Sequence, residues 1–271
     1  MTRPEPLPSF ERPPVIEVVC GMTFKPLDGL LAPHLGLLWE KLKQDGYTKC
    51  QEVAPLAPAV EQFDGPQSPS FEVTDTPPLA RIWFTRDDEN GIIQVQRDRF
   101  LHNWKKARPG DEYPHYDAVI AKFREKLASF EAFVLDAEVG QLEPQQYEMT
   151  YVNHIMQGNG WHSLREIGKV FPDVGWRDQT GRFLHSLEAV NIRLSFVLPN
   201  RSGRLHATIR TALRRQDGFP MLLLDMTARG IPKEHSRDAM WEWFDIAHEW
   251  IVRGFADLTG PEMQGPVWSR S

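Results

Sequence analysis

Residues 80–100, ARIWFTRDDENGIIQVQRDRF, decide the fold. Ile82 to Thr85 and Ile92 to Arg97 are β-branched and aromatic runs that flank Glu89-Asn90-Gly91, a turn signal because Asn and Gly accept positive φ at low cost. The pattern predicts a β-hairpin, and with it antiparallel pairing. Asp87-Asp88-Glu89 has the look of a metal cluster, but its place directly before Asn90-Gly91 makes it a solvated turn.

Towards the N-terminus, Val15 to Phe24 (VIEVVCGMTF) reads as a strand, and Leu31, Leu35, Leu38 and Leu42 recur at helical spacing after it. Residues 1–14 carry five prolines and read as an extended lead-in. Between Tyr47 and Pro78, Pro, Ser and Gln crowd the chain. This stretch reads as a long irregular loop, with at most short strands at Val60 to Phe63 and Ser70 to Val73. Towards the C-terminus, Tyr116, Val119, Phe123, Leu127, Phe130 and Val134 form one stripe of a helix from about Tyr113 to Val134, with Lys122, Arg124, Glu125 and Lys126 between them. The order then recurs: strand Gln146 to Ile155, short helix Trp161 to Val170, strands Leu187 to Leu198, Leu205 to Leu213 and Pro220 to Ala228, and a final helix Ser236 to Leu258 with Ser236 as its N-cap. The expected architecture is α+β, with two related β-α-β-β-β-α-like units whose antiparallel sheets each pack against a long helix. The units span 15–140 and 141–271, dividing near Gly140 and either separate or fused into one body.

Composition bounds what such a chain does. Its 271 residues are 41% hydrophobic and 25% charged, enough for a sizeable core and against disorder. A net charge of −6 gives no whole-chain footprint for nucleic acid or anionic membrane. Two cysteines, Cys20 and Cys50, are too few for a disulfide scaffold and read as reduced thiols. The start of the chain lacks a signal-peptide core and no run of about 18 apolar residues occurs, so a cytoplasmic location is expected and no membrane partner. The nine histidines show no metal-ligand spacing, and P-loop, GxGxxG and GxSxG strings are absent, so neither metal nor cofactor is expected.

Two runs carry polar chemistry. Within Gly91 to Lys106, GIIQVQRDRFLHNWKK, a single strand would set Gln94, Gln96 and Asp98 on one face and Val95, Arg97 and Arg99 on the other. Such a strand floors a polar pocket where Arg97 or Arg99 grips an anion, or it is an exposed, salt-bridged strand leading to a loop anchored by Trp104. Alternation in QYEMTYVNHI sets Tyr147, Met149, Tyr151 and Asn153 on one face and Glu148, Thr150, Val152 and His154 on the other. His154 is the candidate for proton transfer. Arg193, Arg201, Arg204, Arg210, Arg214 and Arg215 form a basic strip without the aromatics that base stacking needs, which disfavours nucleic acid.

Nine tryptophans beside five tyrosines need an account, since indoles fill cores, line pockets or anchor interfaces. Trp243 and Trp250 are seven apart and share a helix face. Trp241 is turned about 200 degrees from Trp243 and faces elsewhere, towards the other half, a partner chain or a binding surface. It is the reason to expect a homodimer.

Taken together, PPVIEVVCGMTF with LLAPHLGLLW, RIWF, IIQVQRDRFLHNWKK, QYEMTYVNHI, SLEAVNIRLSF and RSGRLHATI resemble a sporadically distributed bacterial protein family of about 250 to 270 residues and uncharacterised function. The resemblance implies no activity and assigns no catalytic role. Its patchy occurrence implies, by analogy, an accessory gene such as a toxin–antitoxin or phage-defence component. The expected function is therefore a non-enzymatic binding or regulatory protein with a protein or small anionic ligand as partner. Its binding candidates are Gln94, Gln96, Arg97, Arg99, His102, Asn103, Trp104, Asn153 and Trp241. The alternative is an enzyme acting on a phosphorylated or carboxylate substrate through His154, Tyr151, Asp98 and Arg97 or Arg99.

Overall fold

A computed structural model describes residues 6–57, 60–63, 79–176, 183–184 and 186–271. The strands are β1 Val15–Phe24, β2 Lys49–Val53, β3 Arg81–Thr85, β4 Gly91–Gln96, β5 Arg99–Lys105, β6 Pro144–Met156, β7 Asn191–Val197, β8 Gly203–Leu213 and β9 Pro220–Gly230. They make one nine-stranded antiparallel sheet, ordered β2-β3-β4-β5-β1-β6-β9-β8-β7. The helices are α1 Ala32–Lys43, α2 His115–Asp136, the short α3 Ile167–Val170, α4 Arg237–Leu258 and the short α5 Pro261–Gln264. Chain contacts divide the protein into two compact units. The first holds Glu17–Met149 and Arg229–Met240, the second Met1–Ile16, Thr150–Ala228 and Trp241–Ser271.

The first unit is built on the expected β3–β4 hairpin, where Glu89 takes a positive φ of 67° at the turn. Its three turn carboxylates are all engaged: Asp87 with Thr48, Asp88 with Arg86, and Glu89 with Lys49. The following run differs from the sequence reading. It is not one strand but a second hairpin, β4 and β5 joined at Arg97-Asp98, with Gln96 opposite Arg99. Neither turn residue is among the described positive-φ positions, so the turn lacks the Gly or Asn that announces most two-residue loops. Inserting it resets the side-chain parity of everything that follows.

On one face, β1 contributes Val18, Cys20, Met22 and Phe24, β4 Ile93 and Val95, and β5 Phe100, all buried. Phe130 of α2 stacks on Phe100 with centroids 4.8 Å apart and sits 6.0 Å from Phe24, while Phe123 lies 6.3 Å from Phe100. Lys126 departs from its expected solvated place. It is 1% exposed, and its ammonium lies 2.7 Å from both Asp45 and Glu125, which satisfies the buried charge. In α1 the buried residues are Leu35, Leu38 and Leu42, whereas Leu31 is the exposed N-cap. The stretch expected to be irregular contains β2. Val60 to Phe63 is not a strand, and Ser70 to Val73 lies outside the described residues.

In the second unit, β7 pairs with β8, and β8 is followed in the sheet by β9. A Cβ on Gly254 would stand 3.1 Å from Met226 and 3.2 Å from Leu205, so glycine here lets α4 lie close over β8 and β9. Trp243 is buried and donates its indole N–H to the Ser202 carbonyl at 3.0 Å. Phe10, Phe255 and Trp268 form an aromatic cluster with centroids 5.1 to 6.4 Å apart. The expected short helix is reduced to α3 preceded by a single 3₁₀ turn at Leu164–Glu166.

Candidate binding face

Antiparallel register decides which side chains share a face. Gln94 lies opposite Trp83 on β3, Gln96 opposite Arg99 on β5, and Asn103 opposite Val19 on β1. Gln94, Gln96, Arg99 and Asn103 therefore stand together, with Arg81, Trp83 and Glu17 beside them. This corrects the single-strand reading, which parted Arg99 from the two glutamines. Phe100, His102 and Trp104 fall on the opposite face, with Ile93 and Val95.

The polar face is buried and ordered by a chain of hydrogen bonds. Arg81 donates through Nη1 to Gln94 Oε1 at 3.0 Å, Gln94 Nε2 to Asn103 Oδ1 at 2.8 Å, and Asn103 Nδ2 to Glu17 Oε1 at 2.5 Å. A guanidinium at one end and a carboxylate at the other polarise both amides in the same direction. Gln96 grips the main chain of Leu56 twice. Its Oε1 accepts from the Leu56 N–H at 2.8 Å, and its Nε2 donates to the Leu56 carbonyl at 3.0 Å. Arg99 reaches the Ala57 carbonyl at 3.3 Å and pairs with Asp98 at 3.2 Å, and Gln146 Oε1 accepts from the Glu61 N–H at 2.7 Å.

Donors are in excess on these strands. Arg81 Nε and Trp83 Nε1, on β3, are buried without a hydrogen-bond partner among the described residues, as is Arg97 Nε in the β4–β5 turn. Burial, and after it the neighbouring Arg99 guanidinium, push the Arg81 pKa below its ordinary value. A buried N–H left unpaired costs about 1 to 3 kcal/mol, so this face gains most from a ligand rich in acceptors.

The remaining candidates belong to the second unit or to the other face. Tyr151 and His154 lie on opposite sides of β6, as alternation requires, so they do not share a groove. The buried Tyr151 hydroxyl meets His248 Nδ1 at 3.2 Å, and buried Asn153 donates to the Leu224 carbonyl at 3.0 Å. His154 is partly buried. Desolvation lowers its pKa, with Asp225 opposing and Arg214 assisting. In the basic strip, Arg210 pairs with Asp225 and Arg214 with Asp217. Trp241 is half-buried, 5.9 Å from Phe244. His102 and Trp104 line a separate cavity. Among the described residues no group of three His, Cys, Asp or Glu is placed to hold a metal, and no helix is long and apolar enough to cross a membrane.

Arg81, Trp83, Glu17 and Gln146 were not singled out from sequence. Each is an ordinary strand residue until register sets it beside the amides. Comparison with protein-family models, with curated proteins and with solved structures finds no match to this chain.

Proposed function

We propose that this chain is a non-enzymatic binding or regulatory protein whose polar sheet face holds an extended, acidic segment of a protein partner. The observation that carries the reading is the pair of buried β3 donors, Arg81 Nε and Trp83 Nε1, that lack an acceptor among the described residues, beside Gln96, whose amide already holds the main chain of Leu56. A carboxamide that takes both the N–H and the C=O of one residue reads backbone rather than side chain, as a neighbouring strand would. The two orphaned donors of β3 and the Arg81 and Arg99 guanidiniums favour acidic side chains on the bound segment. The enzymatic alternative has no comparable support, because His154 and Tyr151 face apart.

Fluorescence anisotropy with labelled decapeptides alternating Glu-Thr or Lys-Thr tests the proposal. The acidic peptide should bind and the basic one should not, and Arg81→Gln should weaken binding about tenfold, the size of one charge-assisted hydrogen bond. Equal binding of the two peptides, no binding of the acidic one, or an unchanged affinity in Arg81→Gln would refute it.

We further infer membership of the sporadically distributed bacterial family, with an accessory role of the toxin–antitoxin or defence kind, from the strings Gln94–Phe100 and Thr150–His154. The recurrence of strands closing on a 22-residue helix, α2 and then α4, supports an internal duplication. Half-buried Trp241 supports a homodimer contact.

A further inference from the structure

The second feature lies on the opposite face of the same β-strands and does not rest on the peptide-binding reading. A cavity of about 360 Å³ is lined by Arg86, His102, Trp104, Pro114, Val119 and Lys122, among others. That volume is of the size that encloses a small organic ligand.

His102 is 3% exposed. Its Nε2 lies 3.2 Å from the Tyr47 hydroxyl, and its Nδ1 is buried with no partner among the described residues. The tautomer follows from counting. If Nε2 carried the proton and gave it to the tyrosine oxygen, the buried Tyr47 O–H and the bare Nδ1 would both go unpaired. If Tyr47 donates to Nε2, only one group is left over, and it is an Nδ1–H donor. Gly91 keeps this pair in place, since a Cβ there would come within 3.2 Å of the Tyr47 oxygen. His102 is one of the residues lining the cavity, and with Nε2 committed to Tyr47 its unpartnered polar group is Nδ1–H.

The charge around the imidazole is positive. Burial first, and then Lys122, Lys126 and Arg86, disfavour its protonation, with Glu125 opposing them. Each cation also has a carboxylate of its own: Arg86 with Asp88, Lys122 with Glu125, and Lys126 with Asp45 and Glu125. With each of these cations paired, what reaches the ring is a reduced positive field, which suits a single negative charge rather than a dianion. Asp111, which also lines the cavity, already accepts from Asn90, Ala107 and Arg108, and the remaining acid, Glu112, is exposed. The lining also has apolar members, Pro114, Ala118, Val119 and Trp104, the last held against Tyr113 at 5.4 Å.

We propose that this cavity binds a small monocarboxylate with a flat apolar body, the carboxylate accepting the His102 Nδ1–H near Lys122 and Arg86 and the body lying on Trp104. The probe is benzoate, with benzamide as its neutral isostere and inorganic phosphate as a compact anion. Affinity is read by calorimetry, and the site by long-range ¹H–¹⁵N spectra of the histidine rings. Benzoate should saturate one site and move the His102 ring nitrogens, benzamide and phosphate should each bind at least about tenfold more weakly, and Lys122→Gln should weaken benzoate about threefold to tenfold. His102→Phe should abolish binding. If that variant fails to fold, the His102 resonances and Lys122→Gln still decide. Equal affinity for benzoate and benzamide, phosphate binding as well as benzoate, binding that leaves the His102 nitrogens unmoved, or no binding at millimolar benzoate would overturn the proposal.

Discussion

Gly21→Ala should destabilise the protein, yet stabilise it once Leu101 has been cut back to alanine. Gly21 lies opposite Leu101 in the β1–β5 ladder, and a Cβ there would stand 2.1 Å from Leu101 Cδ2, far inside contact distance. Its φ is not among the positive glycine values, so alanine meets no backbone obstacle. Overpacking of this kind costs about 1 to 3 kcal/mol, with part of the relief taken by an off-rotamer Leu101. Against this, replacing glycine in a strand interior gains about 0.5 to 1 kcal/mol through the unfolded chain. The single substitution should therefore lose about 1 kcal/mol, within a range of about 0 to 2.5 kcal/mol. Leu101→Ala alone should lose about 2 to 5 kcal/mol, because Leu101 is buried. With the methyl groups gone, Gly21→Ala should add about 0.5 to 1 kcal/mol, a coupling of about 1 to 3 kcal/mol. Urea unfolding of the four proteins measures this from midpoints at constant m-value. The same sign of effect in both backgrounds would show that the β1–β5 register is wrong, and with it the placing of Glu17 beside Asn103.

Three further outcomes follow from named groups. Desolvation first, and then Lys122, Lys126 and Arg86, hold His102 at a pKa of about 3, so its ring should not titrate between pH 5 and 8 by NMR; a midpoint near 6.5 would contradict this. The unfolded chain binds that proton more readily, so stability is retained above about pH 6.5 and falls as pH drops towards 3, by up to about 1.4 kcal/mol per pH unit from this group. Burial pushes the Cys20 thiol far up, whereas Cys50 is exposed; a thiol reagent should label Cys50 in the native protein and both after unfolding, and rapid native labelling of Cys20 would contradict its burial. Ser236 Oγ accepts from the Ala239 N–H at 3.1 Å, so Ser236→Ala should cost about 1 kcal/mol in thermal or urea unfolding, and no loss would show that the cap is idle.

The legibility of this chain followed the range of the interactions involved. Periodicity alone placed α2 and α4 to within a few residues, because the stripes from Val119 to Val134 and from Met240 to Leu258 are local patterns. The Asn90-Gly91 turn disclosed the β3–β4 hairpin, and Ser236 disclosed its helix start. The Arg97-Asp98 turn has no such signature, and missing it inverted the facing of every later residue in β5. Polarity marked Gln94, Gln96 and Asn103 as candidates without showing what they bind.

Sequence by itself determined the class of fold, the antiparallel pairing and the positions of the long helices, since each rests on spacing within about twenty residues. Only the tertiary structure decided which polar groups meet. Gln96 finds Leu56 forty residues away, Asn103 finds Glu17 on the neighbouring β1, and Tyr47 finds His102 at a separation of 55 residues. Those meetings depend on register and on burial, where an unpaired donor becomes costly, and neither is written in local spacing.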